Sequence, residues 1–166
     1  MKTIKIKDIG RTITGTTPST KEPQNYNSKD IMFVGPSDIK NNRYVYKTEK
    51  YISSFAFNNL PTRQLSKNSL LIDCIGSDMG NVAIATASCI TNQQIHAITD
   101  INFKNVLYFY YLFSTQKSYF HQIGMNGSTM PIISKSLFDD IEIVIHDEDE
   151  QQHIVNSINY EVKYAC

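Results

Sequence analysis

Three short polar segments place hydroxyls and amides where glycine or proline would expose them. They are Thr16, Thr17 and Ser19 beside Gly15-Thr16-Thr17-Pro18, then Ser77, Asp78 and Asn81 around Gly76 and Gly80, then Asn126, Ser128 and Thr129 around Gly127. A fourth polar group, Asn92, Gln93 and Gln94, stands between two apolar runs. Hydroxyls and carboxamides donate and accept hydrogen bonds, so they suit the reading of polar edges on a partner. From composition alone, a hydrated surface with ordinary turns is the better explanation of them.

Catalytic constellations are nearly absent. The sequence has no GxxxxGK[ST], no GxGxxG opening a helix and no HExxH. His96, His121, His146 and His153 are scattered, which argues against a metal cluster. Cys74, Cys89 and Cys166 form no CxxC pair, so neither a disulfide framework nor a zinc site is indicated. Cys74 lies in an apolar run and reads as an inert core thiol, with Asp73 beside it as a lone buried acid. The Asn/Asp-Pro-Pro-aromatic motif with which amino-methyltransferases hold a target base is also missing. A nuclease site built from Lys67, Asp73 and Asp78 would match no metal-dependent nuclease spacing.

The formal net charge is +0, whereas a solitary nucleic-acid binder usually carries a basic excess. The distribution is uneven. Lys40, Arg43, Lys47, Lys50, Arg63 and Lys67 share their stretch with the single acid Glu49, while residues 139–150 hold seven acids and no Lys or Arg. Lys40, Arg43, Lys47 and Arg63 are the candidate phosphate contacts. The opening MKTIKIKDIG lacks the apolar core of a secretory signal, so a reduced, cytoplasmic protein is expected.

The elements that must position these groups are partly legible. Apolar runs at 31–34, 69–75 and 82–85 read as strands, and Tyr44 to Tyr51 as one more. Val106, Phe109, Tyr110, Phe113 and Phe120 give one helical stripe over 105–122 that ends near Gly124. Ser134 is positioned to cap a short helix, and Ile141, Ile143 and Ile145 alternate as a half-buried strand. Asp147 and Glu150 have capping-box spacing before a last helix, in which Val155, Ile158, Val162 and Ala165 form a narrow coiled-coil-type seam. The expected fold is α+β: a twisted, mostly antiparallel sheet or small barrel with a packed helix. Residues 1–146 would form the body and 147–166 the start of a spacer helix.

In order, these segments resemble a target recognition domain of type I restriction–modification specificity subunits. The resemblance rests on Lys7-Asp8-Ile9-Gly10, Gly15-Thr16-Thr17-Pro18-Ser19, Phe33-Val34-Gly35-Pro36-Ser37-Asp38-Ile39 and Tyr51-Ile52-Ser53. It continues through Leu71-Ile72-Asp73-Cys74-Ile75-Gly76-Ser77 with Gly80, Thr91-Asn92-Gln93-Gln94-Ile95, Gly127-Ser128-Thr129, Ile133-Ser134 and Glu150-Gln151 before Ile154. The family often has Pro-Pro before the Glu-Gln pair, where this chain has His146-Asp147-Glu148-Asp149.

The resemblance implies sequence-specific recognition of one half of a split double-stranded DNA target. It implies no catalysis and no cofactor in this chain, S-adenosylmethionine being bound by partner methyltransferase (modification) subunits. A restriction and motor subunit would complete the assembly. A full subunit has two such domains joined by long antiparallel helices; one domain and the start of one helix fit a half-subunit, a fragment or a degenerate gene product. The Asn92–Gln94 amides would brace the loops first and contact bases second. Two alternatives stand beside this reading: an adaptor that binds protein through the C-terminal helix and never touches DNA, and a two-fold pair of copies joined at Val155, Ile158 and Val162.

Overall fold

The computed structural model describes residues 1–125 and 130–164. In chain order the strands and helices are β1 (Lys2–Lys5), β2 (Arg11–Thr14), β3 (Ile31–Val34), α1 (Pro36–Ile39), β4 (Tyr44–Val45), β5 (Lys50–Ile52), α2 (Ser54–Asn58), β6 (Leu70–Asp73) and β7 (Val82–Ala85). Then come β8 (Cys89–Thr91), β9 (Ile95–Thr99), α3 (Val106–Ser114), α4 (Lys117–Gly124), α5 (Lys135–Asp140), β10 (Glu142–Ile145) and α6 (Glu148–Tyr164).

The centre is a five-stranded sheet in the order β2-β9-β6-β7-β4. A three-stranded sheet, β5-β3-β8, covers one face, and the helices with the β1–β10 pair cover the other. The fold is thus mixed α+β. Pairings β3–β8 and β4–β7 are parallel and the other ladders antiparallel. The sheets stay open, so the barrel alternative is not what forms.

Burial on both faces explains why β6 and β7 read as continuous apolar runs. Leu70 and Ile72 point to the helices, while Leu71 joins Met32, Val34 and Cys89 between the sheets. Phe109, Phe113, Phe120 and Phe138 are fully buried on the helical side. Burying each is worth roughly 1.5–3 kcal/mol.

Two expected elements divide. The helix over 105–122 breaks at Thr115 and Gln116 into α3 and α4. The hydroxyls of Ser114 and Thr115 donate to the carbonyls of Tyr110 and Leu112 at the end of α3. The bend brings Phe120 to 6.0 Å from Phe113, centroid to centroid. The strand expected over 44–51 becomes β4 and β5, which belong to different sheets. Caps fall where the residue types indicate: Asn105 accepts from Tyr108 N, Ser134 from Leu137 N and Asp147 from Glu150 N.

The last helix docks on α3 by its first half. Val155 is buried with the core, and Gln151 donates to the His146 carbonyl at 2.8 Å. Asn159 accepts from the Tyr111 hydroxyl at 2.7 Å. The apolar seam is therefore divided: Val155 is 3% exposed, Ile158 is half-buried and Val162 is 51% exposed. No described helix is long and apolar enough to cross a membrane.

Candidate nucleic-acid interface

Register brings several loops to one edge. In the five-stranded sheet β2 and β6 end where β9 begins, with Thr14 opposite His96 and Asp73 opposite Ile95. In the smaller sheet β3 and β8 end together, Val34 opposite Thr91. The turns that leave these ends are bonded to one another. Gly15 N donates to Ile95 O at 3.0 Å, Thr16 N to Thr91 O at 2.8 Å, Asn92 N to Val34 O at 3.0 Å and Cys74 N to Gln94 O at 2.9 Å.

The segment after the undescribed residues is tied in as well. Ile133 N donates to Cys74 O at 2.9 Å, Gly76 N to Pro131 O at 2.9 Å, and Ile132 N to Gly124 O at 3.0 Å. His96 is buried between Thr14 Oγ1 (3.0 Å) and Ile133 O (2.8 Å). A carbonyl only accepts, so Nε2 carries the proton and Nδ1 accepts from the Thr14 hydroxyl. Burial pushes the His96 pKa below its ordinary value, which keeps this neutral tautomer.

Glycines permit two close approaches. A Cβ on Gly15 would stand 1.9 Å from Asn92 O, so the 15–19 turn can lie on the 92–94 turn only with glycine there. Gly80 has φ +86°, and a Cβ on it would meet Lys117 Cα at 2.9 Å. One turn of loop is thereby seated on the start of α4. At the other end of that helix Gly124 packs against Met79.

Thr16, Thr17, Ser77, Asp78, Asn81 and Asn92–Gln94 thus gather at one edge. Thr17 Oγ1 donates to Gln93 Oε1 at 2.7 Å, and Ser77 is exposed. Asn92 and Gln94 are turned to each other, Nδ2 to Oε1 at 3.1 Å and Gln94 N to Asn92 Oδ1 at 3.1 Å. That is bracing geometry. The Asn81 amide also points inward, its Oδ1 accepting from Lys117 Nζ at 2.8 Å. Ser19 lies farther along its loop, where its hydroxyl accepts from Lys21 N at 3.3 Å. Asn126, Ser128 and Thr129 lie outside the described residues.

The basic run does not form one patch. Lys40 pairs with Asp78 at 3.1 Å, at the loop edge. Arg43 lies over the Tyr110 and Tyr111 rings at 5.8 and 5.3 Å. Arg63 Nη1 donates to Thr14 O at 2.9 Å, and Lys47 is exposed after β4. Arg63 instead joins Arg11 and Lys135, which sequence reasoning missed, around a groove of about 450 Å³ with Thr12, Thr14 and Thr62. Arg11 is paired with Asp100 and Lys135 with Asp139.

The acidic stretch is tied to other lysines. Asp140 accepts from Lys7 and Lys5, which hold its carboxyl below the usual carboxylate range, and Glu148 pairs with Lys104 at 2.7 Å. Beneath the loop edge, Asp73 Oδ2, Asn81 Nδ2 and Thr91 Oγ1 are buried without a hydrogen-bond partner. Burial pushes the Cys74 thiol well up and Cys89 to about 12, so neither is a ready nucleophile. Among the described residues no cluster of His, Cys, Asp and Glu could hold a metal.

Residues 1–160 match the family model described as type I restriction modification DNA specificity domain. The chain is 34% identical over 160 residues to the type I restriction enzyme MjaIX specificity subunit of Methanocaldococcus jannaschii, covering 94% of this chain and 36% of that protein. The fold is similar to the HsdS subunit from Thermoanaerobacter tengcongensis, with a TM-score of 0.72 at 15% identity over 98% of this chain and 37% of that one. It is also similar to the type I restriction–modification S subunit from M. genitalium, with a TM-score of 0.66 at 14% identity over 98% of this chain and 39% of that one. The chain therefore spans well under half the length of the relatives it matches.

Proposed function

The chain belongs to the family of type I restriction–modification DNA specificity domains, and from that premise we propose that it reads one half of a split double-stranded DNA target for a modification enzyme. The observation that carries this reading is the convergence of the Gly15–Ser19, Cys74–Asn81 and Asn92–Gln94 turns on one strand edge. Bases are discriminated by hydroxyls, amides and guanidinium groups held in fixed directions at groove edges. A cluster braced by backbone bonds supplies that fixity at low entropic cost.

Within it, Thr16, Ser77 and Asp78 are the reading candidates, Asn92–Gln94 brace them, and Lys40 stands by as a phosphate contact. The chain acts without chemistry of its own. S-adenosylmethionine and base flipping belong to the methyltransferase subunits it recruits, and cleavage to a restriction and motor subunit. The flank of α6 that carries Ile158 and Val162 takes a protein partner, either a methyltransferase subunit or the helix of a second recognition domain.

With a net charge of +0, the isolated chain is a weak binder whose affinity depends on the assembled enzyme. Co-expression with the methyltransferase subunit of the same system tests this. A complex should co-purify and retain one duplex sequence in a pool selection. Co-purification without any sequence enrichment would favour the adaptor reading instead.

A further inference from the structure

A cleft of about 190 Å³ opens between the turn after α1, the Gly80–Val82 segment and the α3–α4 junction. Asn41, Asn42, Asn81, Ser114 and Lys117 are its polar lining, and Lys117 is its only charged residue. Among the neighbouring cations Arg43 is held over the Tyr110 and Tyr111 rings, and others are paired with acids. Lys40 is paired with Asp78, Arg11 with Asp100 and Lys135 with Asp139. Lys117 Nζ instead meets an uncharged amide oxygen, Asn81 Oδ1, at 2.8 Å, and its ion pair with an acid is absent among the described residues. The ammonium is thus oriented by an amide, and the buried Asp73 carboxyl lies near enough to feel its charge.

The cleft adjoins the Cys74–Asn81 loop directly, because Gly80 and Asn81 line both. Gly80 fixes that relation by its close approach to Lys117 Cα. A duplex held at Ser77 and Asp78 would have this cleft beside it, since Gly80 and Asn81 follow them in the same loop.

We infer that this cleft is a phosphodiester contact site, in which Lys117 neutralises one backbone phosphate and the Asn41 amide donates to its oxygens, the Asn42 amide being held by the Asp38 carbonyl at 3.0 Å. Asn81 is a positioning residue that aims the lysine. The inference rests on the DNA-reading function proposed above. It assigns to the site a contact that fixes register and adds affinity for any sequence, as phosphate contacts do. The cation is set by the fold at the start of α4, outside the basic run.

The test uses the complex with the methyltransferase subunit and measures fluorescence anisotropy on the selected duplex and a scrambled one across a salt series. Lys117→Met keeps the aliphatic stem and removes the charge. It should weaken both duplexes about equally, roughly 5- to 10-fold, and lower the log–log salt slope by about one. Lys117→Arg should restore the slope. Asn81→Asp, which gives the lysine an acid, should lower the slope as Lys117→Met does, an effect that mere loop support would not produce.

An unchanged slope in Lys117→Met overturns the inference, as does a loss confined to the selected duplex, which would make Lys117 a base reader. Failure of Lys117→Met to co-purify while Lys117→Arg does so assigns the cleft to a protein contact and also overturns it. Wild-type complex that does not distinguish the duplexes at any salt sinks the parent reading, a result distinct from these.

Discussion

Asp73 sits under the loop edge with one oxygen satisfied and one not. Oδ1 accepts from Ile75 N at 3.3 Å, while Oδ2 is buried without a donor. Desolvation raises its pKa to about 6, against the pull of the Ile75 amide. A carboxyl whose folded pKa lies above its unfolded value opposes folding at neutral pH. That cost is relieved as pH falls from about 6 towards the ordinary carboxyl value of 3.8. Asp73→Asn should therefore stabilise the chain at pH 8 by roughly 1–3 kcal/mol, with the gain vanishing below about pH 4. Urea denaturation at both pH values reads this directly; equal destabilisation at both would contradict it. The acid itself was legible in the sequence, as a carboxylate inside an apolar run. The roles of His96 and Lys117 were not. Each depends on a partner more than thirty residues away, Ile133 and Asn81, and nothing local marks such pairs.

Among the elements, the loop edge depends on glycine in a position-specific way. Gly76 and Gly80 both have positive φ, but a Cβ on Gly76 meets nothing within 4 Å. Gly76→Ala should cost about 1 kcal/mol from backbone strain alone. Gly80→Ala adds a clash with the α4 backbone and should cost roughly 2–4 kcal/mol, both costs being read by thermal melts of the two variants. Equal costs would mean that the loop is not seated on α4.

The terminal helix offers a second contrast. Val155→Ala should cost roughly 1–3 kcal/mol, because it opens space in the core. Val162→Ser should stay within about 0.5 kcal/mol for the isolated chain. The sequence showed the seam but not its division, since heptad spacing records which side is apolar and not where the domain body ends. It showed β3, β6, β7 and β10, whose apolar patterns reflect burial. It missed β1 and β2, which carry Lys, Arg and Thr at exposed positions, β8 and β9, although both are buried throughout, and the break in the aromatic helix, where the stripe continues through the bend.

The whole molecule divides its charge without accumulating any. Acids at 139–150 are matched by Lys5, Lys7, Lys104 and Lys135, and at the loop edge Lys40 is paired with Asp78. A neutral chain gains little from counterion release, so the isolated protein should bind random duplex no tighter than about micromolar at physiological salt. A titration showing nanomolar binding to random DNA would contradict that division of labour.

The claim that the loop edge reads bases is tested most directly by mapping methylated adenines in genomic DNA from cells that carry the chain with its methyltransferase subunit. The account predicts methylation at one recurrent sequence containing a fixed half-site, and a changed half-site when residues 76–81 are replaced by those of a relative. Methylation that keeps the same sequence after that replacement, or without the chain altogether, would contradict it.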